Sequence, residues 1–199
     1  MPVTAVVLDV DGVLVRSGVF AQVLEREHGL GLAATAGFFQ GPFVDCLLGR
    51  ADLKQAIEPF LREWRWAGSV EDCIRVWFEA DSALNTEILA LIAALRGAGI
   101  PSYVASTQEP LRAAYLEDVL GFRELFDDRF FSCRVGVMKP DPAFFEHVTA
   151  SLGVAGKDLL FIDDLEHIVQ GARQCGWNAE LYSWGDDLSE KIREHGFVV

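Results

Sequence analysis

The strongest constraint on this chain is the placement of its apolar runs. Short runs fall at 5–10 (AVVLDV), 102–106 (SYVAS), 129–133 (RFFSC), 158–162 (DLLFI) and 179–183 (AELYS). Each has the length and the β-branched, aliphatic or aromatic content of a strand. Helical patterns separate most of them. TEILALIAALRGAG puts Ile88, Leu91, Ile92 and Leu95 on one face, begins near Asn85 or Thr86 and stops at Gly97 and Gly99. EPLRAAYLEDVLGF opens on Pro110 in a first-turn position and ends at Gly121. DPAFFEHVTASLG carries Asp141 as a cap, then Pro142, and terminates at Gly153; DLEHIVQGARQCG terminates at Gly176. Strands joined by helices of this length need right-handed crossovers. The spacing therefore predicts an α/β fold with a doubly wound parallel sheet.

Residues 16–84 break the alternation. They hold helical patterns (FAQVLEREHGL, DLKQAIEPFLREW, SVEDCIRVWFEAD) and no convincing strand, and Pro59 is expected to kink or split the middle helix. A block this long is rarely a structureless loop. The expected organisation is an α/β core from 1–15 and 85–199, with a small helical domain inserted at 16–84.

The 199 residues suit one domain carrying a smaller one, and 51% hydrophobic content suffices for a substantial core. A net charge of -13 argues against nucleic acid as a partner. No run approaches the ~20 apolar residues of a membrane span, and the first residues do not read as a secretion signal. Cys46, Cys73, Cys133 and Cys175 are scattered, with no Cys-x-x-Cys pair, so free thiols in a cytoplasmic protein are expected.

In open parallel sheets, ligands bind at the carboxyl ends of the strands. Asp9, Asp11 and Gly12 end the first run; Ser106 and Thr107 follow the second; Lys139 lies in the loop after the third; Asp163 and Asp164 follow the fourth. A lone Asp or Ser before a helix is most often a cap. Asp9, however, lies inside an apolar run where capping gives it no task. Two carboxylates about 4 Å apart repel by ~4 kcal/mol near an effective dielectric of 20. Convergence of Asp9, Asp11 and Asp163 therefore calls for a cation, and an all-oxygen ligand set selects a hard one, Mg²⁺. The four histidines lack ligand spacing. An attacking carboxylate, a neighbouring carboxyl, Mg²⁺, a hydroxyl and a lysine together suit a phosphoryl group.

These residues resemble the haloacid-dehalogenase-like (HAD-like) hydrolases over nearly the whole chain. LDVDGVL resembles their first motif, Ser106 in YVASTQ the second, Lys139 in GVMKPDPAFF the third and LLFIDD the fourth, in family order. The resemblance implies a Rossmann-like sheet ordered 5-4-1-2-3, with residues 16–84 as a helical cap that selects the substrate. It makes Asp9 the nucleophile and Asp11 the general acid/base. It assigns phosphate binding to Ser106, Thr107 and Lys139. Mg²⁺ is to be held by the Asp9 side chain, the Asp11 carbonyl and Asp163, with Asp164 supporting them from behind. Thr107 stands where relatives usually carry Asn, and His167 near where an Asn often follows the acidic pair.

The expected function is Mg²⁺-dependent hydrolysis of a small phosphorylated metabolite. A phosphomutase and a non-catalytic, metabolite- or partner-binding relative are the alternatives. The order of motifs disfavours a receiver domain, and Asp11 disfavours a dehalogenase. In the insert, Phe38, Phe39, Phe43, Trp64 and Trp66 read first as core, and Arg50 as an anion contact.

Overall fold

Ala5–Leu8 is apolar on both faces, and the chain buries it completely. In the computed structural model, which describes residues 3–197, this run is strand β1, the centre of a five-stranded sheet. It pairs with β2 (Ser102–Ser106) and β4 (Leu159–Asp163), while β3 (Asp128–Phe131) and β5 (Asn178–Leu181) form the edges. All pairings are parallel. The order β3-β2-β1-β4-β5 is the expected one read from the opposite edge.

Successive side chains of the strands enter opposite layers. Val6, Leu8, Leu160 and Ile162 pack on one face with α6 (Thr86–Gly97), α7 (Pro110–Asp118) and α12 (Leu188–Glu194). Ala5, Val7, Leu159 and Phe161 pack on the other with α10 (Pro142–Leu152) and α11 (Glu166–Gln174). The anticipated caps form: Asn85 Oδ1 accepts from the Ile88 amide and Asp141 Oδ1 from the Ala143 amide. Short α8 (Phe122–Leu125) follows Gly121.

β3 ends two residues earlier than expected. From Ser132 the backbone coils into α9 (Ser132–Val135), because the Ser132 hydroxyl donates to the Leu47 carbonyl and accepts from the Gln108 amide. β5 likewise stops before Tyr182 and Ser183, where the Ser183 amide turns to Asp186.

Between β1 and α6 lie α1 (Val19–His28), α2 (Leu32–Phe39), α3 (Pro42–Leu47), α4 (Leu53–Glu63) and α5 (Val70–Ala80). They gather around an apolar cluster of their own, with Phe38 and Trp64 fully buried in it. Trp66 stacks on His28, and Arg50 is exposed. The expected split at Pro59 is not there: α4 runs through it, with Pro59 exposed and Leu53, Ile57 and Leu61 anchoring the opposite side. Gly18 has no side chain to cap α1. Asp81 does so from the far end of the insert, accepting from the Val19 and Phe20 amides at 2.8 and 3.2 Å.

The chain leaves the sheet and returns to it through one narrow neck. Val15 bridges Leu84 in antiparallel fashion. The Arg16 amide donates to the Ala83 carbonyl and the Asn85 amide to the Leu14 carbonyl, both at 2.9 Å. Of the expected core segments, residues 1–2 and 198–199 lie outside the described residues. No described helix is long and apolar enough to cross a membrane.

Candidate active site

Strand β1 ends at Leu8, but the Asp9 amide still donates to the Ile162 carbonyl at 2.9 Å, so the sheet holds Asp9 in place. Two residues on, Gly12 adopts a left-handed conformation at φ 80°. A Cβ there would fall on the Asp164 carboxylate, so glycine answers both the turn and the close approach. Asp163 is the last residue of β4. Its Oδ1 accepts from the Leu165 amide at 2.9 Å, and its Oδ2 faces Lys139. Lys139 comes from the loop between α9 and α10. A Cβ on Gly171 of α11 would sit 2.7 Å from the Pro140 side chain, so this glycine lets the helix lie against the lysine's loop.

The lysine reaches two carboxylates at once, with Nζ 2.9 Å from Asp9 Oδ1 and 2.6 Å from Asp163 Oδ2. All three side chains are buried. Burial raises the Asp9 carboxyl to about 7; Lys139 opposes the rise, Asp163 adds to it and Ser106 pulls back. Burial works against the Lys139 ammonium, but the two carboxylates outweigh it and hold its pKa above the ordinary value. Asp164 is raised, by burial first and Asp163 second. One ammonium cannot balance both carboxylates, so ionising Asp9 beside Asp163 calls for further positive charge.

A cation would supply it. Carboxylate oxygens of Asp9, Asp163 and Asp164 lie within 4.8 Å of one another. Asp9 Oδ1 is buried and makes no hydrogen bond of good geometry, although Lys139 stands close to it. An all-oxygen set with an unused lone pair could hold a hard dication such as Mg²⁺. The Asp11 carboxylate is turned elsewhere: Oδ2 accepts from Gln108 Nε2 at 2.7 Å. The same amide donates to Ser106 Oγ at 3.0 Å.

Asp9, Asp11, Ser106, Thr107, Lys139 and Asp164 line one cavity of about 300 Å³ at the carboxyl edge of the sheet. Asp163 lies beneath it, joined through Lys139. His167 is exposed on α11. Gln108 is the residue that reading the sequence missed. The loop after β2 buries it, with its amide donating to Ser132 Oγ and its carbonyl accepting from the Cys133 amide. A polar residue two places past a strand-ending Ser was the available signal. The four cysteines are free thiols.

A family model, haloacid dehalogenase-like hydrolase, matches residues 3–176. The chain belongs to this family. As a HAD-like hydrolase it is 25% identical over 197 residues to a phosphatase of Mycobacterium tuberculosis (strain CDC 1551 / Oshkosh), a match covering 91% of this chain and 88% of that one. It is 33% identical over 95 residues to a flavin mononucleotide hydrolase of Arabidopsis thaliana, covering 48% of this chain and 39% of that longer protein. The crystal structure of a HAD family enzyme from Bacteroides thetaiotaomicron, in complex with magnesium and inorganic phosphate, superposes with a TM-score of 0.79. There the identity is 20%, with 96% of this chain and 100% of that chain covered. That structural likeness establishes the fold.

Proposed function

We propose that this HAD-like hydrolase is a Mg²⁺-dependent phosphatase, cleaving the phosphate monoester of a small metabolite through an aspartyl-phosphate on Asp9. The carrying observation is Asp9 itself: a buried carboxylate at a strand end, fixed by the sheet, with one oxygen that has Lys139 beside it but no hydrogen bond of good geometry. The phosphatase and the flavin mononucleotide hydrolase among its relatives support the substrate class, and the magnesium complex of the Bacteroides enzyme supports the metal.

Asp9 attacks phosphorus while the departing alcohol oxygen takes a proton from Asp11. Asp11, now a carboxylate, takes a proton from water, whose oxygen attacks the phosphorus and releases inorganic phosphate and Asp9. Gln108 holds Asp11 Oδ2, leaving Oδ1 to carry the proton. Because Gln108 donates to Ser106 Oγ, the Ser106 hydroxyl is left to donate its own hydrogen, which serves Asp9 here and would serve a phosphoryl oxygen once one is bound. Lys139 lends positive charge to the same group. The carboxylates of Asp9 and Asp163 and the Asp11 carbonyl, with Asp164 close enough to join them, would hold Mg²⁺, which, once bound, would keep Asp9 ionised and offset phosphoryl charge. The five inserted helices would form the cap over this site.

The test is p-nitrophenyl phosphate hydrolysis with Mg²⁺ or with EDTA. Wild type should require the metal, and Asp9→Asn should lose at least ~10³-fold in kcat. Asp11→Asn should lose at least ~10²-fold while still binding Mg²⁺ by calorimetry. Equal activity in wild type and Asp9→Asn would refute the nucleophile.

A further inference from the structure

A second cavity, of about 320 Å³, lies between the inserted helices and the sheet edge. It meets the first at Asp11, Ser17 and Thr107, which line both. A group esterified to a phosphoryl at Asp9 therefore has this space to occupy.

The walls are hydrocarbon. Phe20, Phe39, Phe43, Leu47, Trp77 and Phe78 come from α1, α2, α3 and α5. Trp77 is their hub, its ring 5.4 Å from those of Phe20, Phe39 and Phe43. Phe39, Phe43, Leu47 and Trp77 are half-buried, unlike Phe38 and Trp64 in the cluster behind them. They give the cavity apolar surface that no described side chain fully covers.

Besides Asp11 at the junction, three charged side chains border the space, and each already bonds to the protein. Asp81 accepts from the Val19 and Phe20 amides. Glu109 accepts from the Leu111 and Arg112 amides at the start of α7. Arg112 donates to the Phe78 and Asp81 carbonyls and lies over the rings of Phe78 and Tyr115. Turning any of them to a ligand would uncap a helix or strand a buried carbonyl. The hydroxyls of Ser17 and Thr107 stand at the junction, where the phosphate would lie. A sugar or organic acid entering here would shed its hydration and find the charged groups taken, whereas a hydrocarbon gives up nothing.

Resting on the phosphatase reading, we propose that the substrate is the phosphate monoester of an apolar alcohol. Its hydrocarbon lies against Trp77 and Phe43, and Asp81, Glu109 and Arg112, each held by bonds to the backbone, are turned to the protein rather than to a polar ester.

The experiment compares kcat/KM, with Mg²⁺ present, for ethyl, butyl and octyl phosphate, 1-naphthyl phosphate, glucose 6-phosphate and glycerol 3-phosphate. Burial of each methylene is expected to add roughly threefold, so octyl phosphate should exceed ethyl phosphate by at least ~30-fold. Glucose 6-phosphate should fall below butyl phosphate. Trp77→Ala and Phe43→Ser, on two different helices, should each shrink the octyl-to-ethyl ratio by about tenfold. Indifference to chain length, or preference for either polar ester, overturns the apolar class and leaves the phosphatase reading standing. An unchanged ratio in both variants overturns the place given to the hydrocarbon. Failure of wild type to hydrolyse any ester overturns the phosphatase reading, and this proposal with it.

Discussion

One side-chain amide, Gln108, ties the acid/base candidate Asp11 to the phosphate-binding candidate Ser106. Asp9 stood out in the sequence because charge inside an apolar strand has no capping task there; Asp11, Lys139 and Asp163 stood out only together, as polar groups at the ends of successive strands and as parts of the family motifs. Gln108 was not legible, because its position depends on contacts with Ser132 and Cys133 more than twenty residues away. Thr107, where relatives often carry Asn, suggested a missing amide; one stands at the next residue. A hydrogen bond to a charged group is worth about 1.5–3 kcal/mol. Gln108→Leu should therefore lower kcat on p-nitrophenyl phosphate by roughly ten- to a hundredfold, and Gln108→Glu should not restore it, since a carboxylate cannot donate to Asp11. Retention of full kcat in Gln108→Leu would remove Gln108 from the mechanism.

Among the elements, one carboxylate of α7 meets three neighbours at once. Glu117 meets Arg134 of α9 at 2.6 Å, Arg129 of β3 at 3.1 Å and Arg123 of α8 at 3.5 Å. Hydrogen bonding from Arg134 leads in lowering its carboxyl to about 2, against the upward push of burial. A carboxyl depressed in the folded state stabilises it above the ordinary value of 4.5, and that stability is lost as pH falls towards 2. At pH 6, Glu117→Gln should cost about 2 kcal/mol in urea unfolding, reduced from the full linkage value because Arg123 and Arg134 are half exposed. The gap between variant and wild type should close as pH approaches 2.5; a gap independent of pH would contradict the pairing. Helix ends with local caps, such as Asn85 and Asp141, could be read from sequence. The start of α1 could not, because its cap is Asp81, sixty-two residues from Val19.

Taken whole, the molecule is a sheet whose order could be inferred once the motifs were placed, carrying helices whose mutual packing could not. The strands declare themselves by composition and length, and crossover handedness leaves few arrangements. The insert's aromatic side chains read first as core, with any of them open to facing a substrate; the fold divides them, sealing Phe38 and Trp64 inside and leaving Phe39 and Phe43 on a cavity wall. The five helices share one apolar cluster, separate from the two that flank the sheet. Amide hydrogen exchange should therefore show α1, α2, α4 and α5 opening as one unit, at lower free energy than β1, β2 and β4. Exchange of all these elements at one common rate would mean that sheet and insert unfold together.

The neck at Val15 and Leu84 has a consequence for how such a chain varies over time. Closure entropy grows slowly with the length of the closed segment, each doubling costing only about 0.6 kcal/mol. The two backbone hydrogen bonds at the neck hold the segment's ends side by side whatever lies beyond them. The sheet, for its part, meets a turn between neighbouring chain segments, not a span of nearly seventy residues. The length and content of that segment can therefore change at little cost to the strand that carries Asp9.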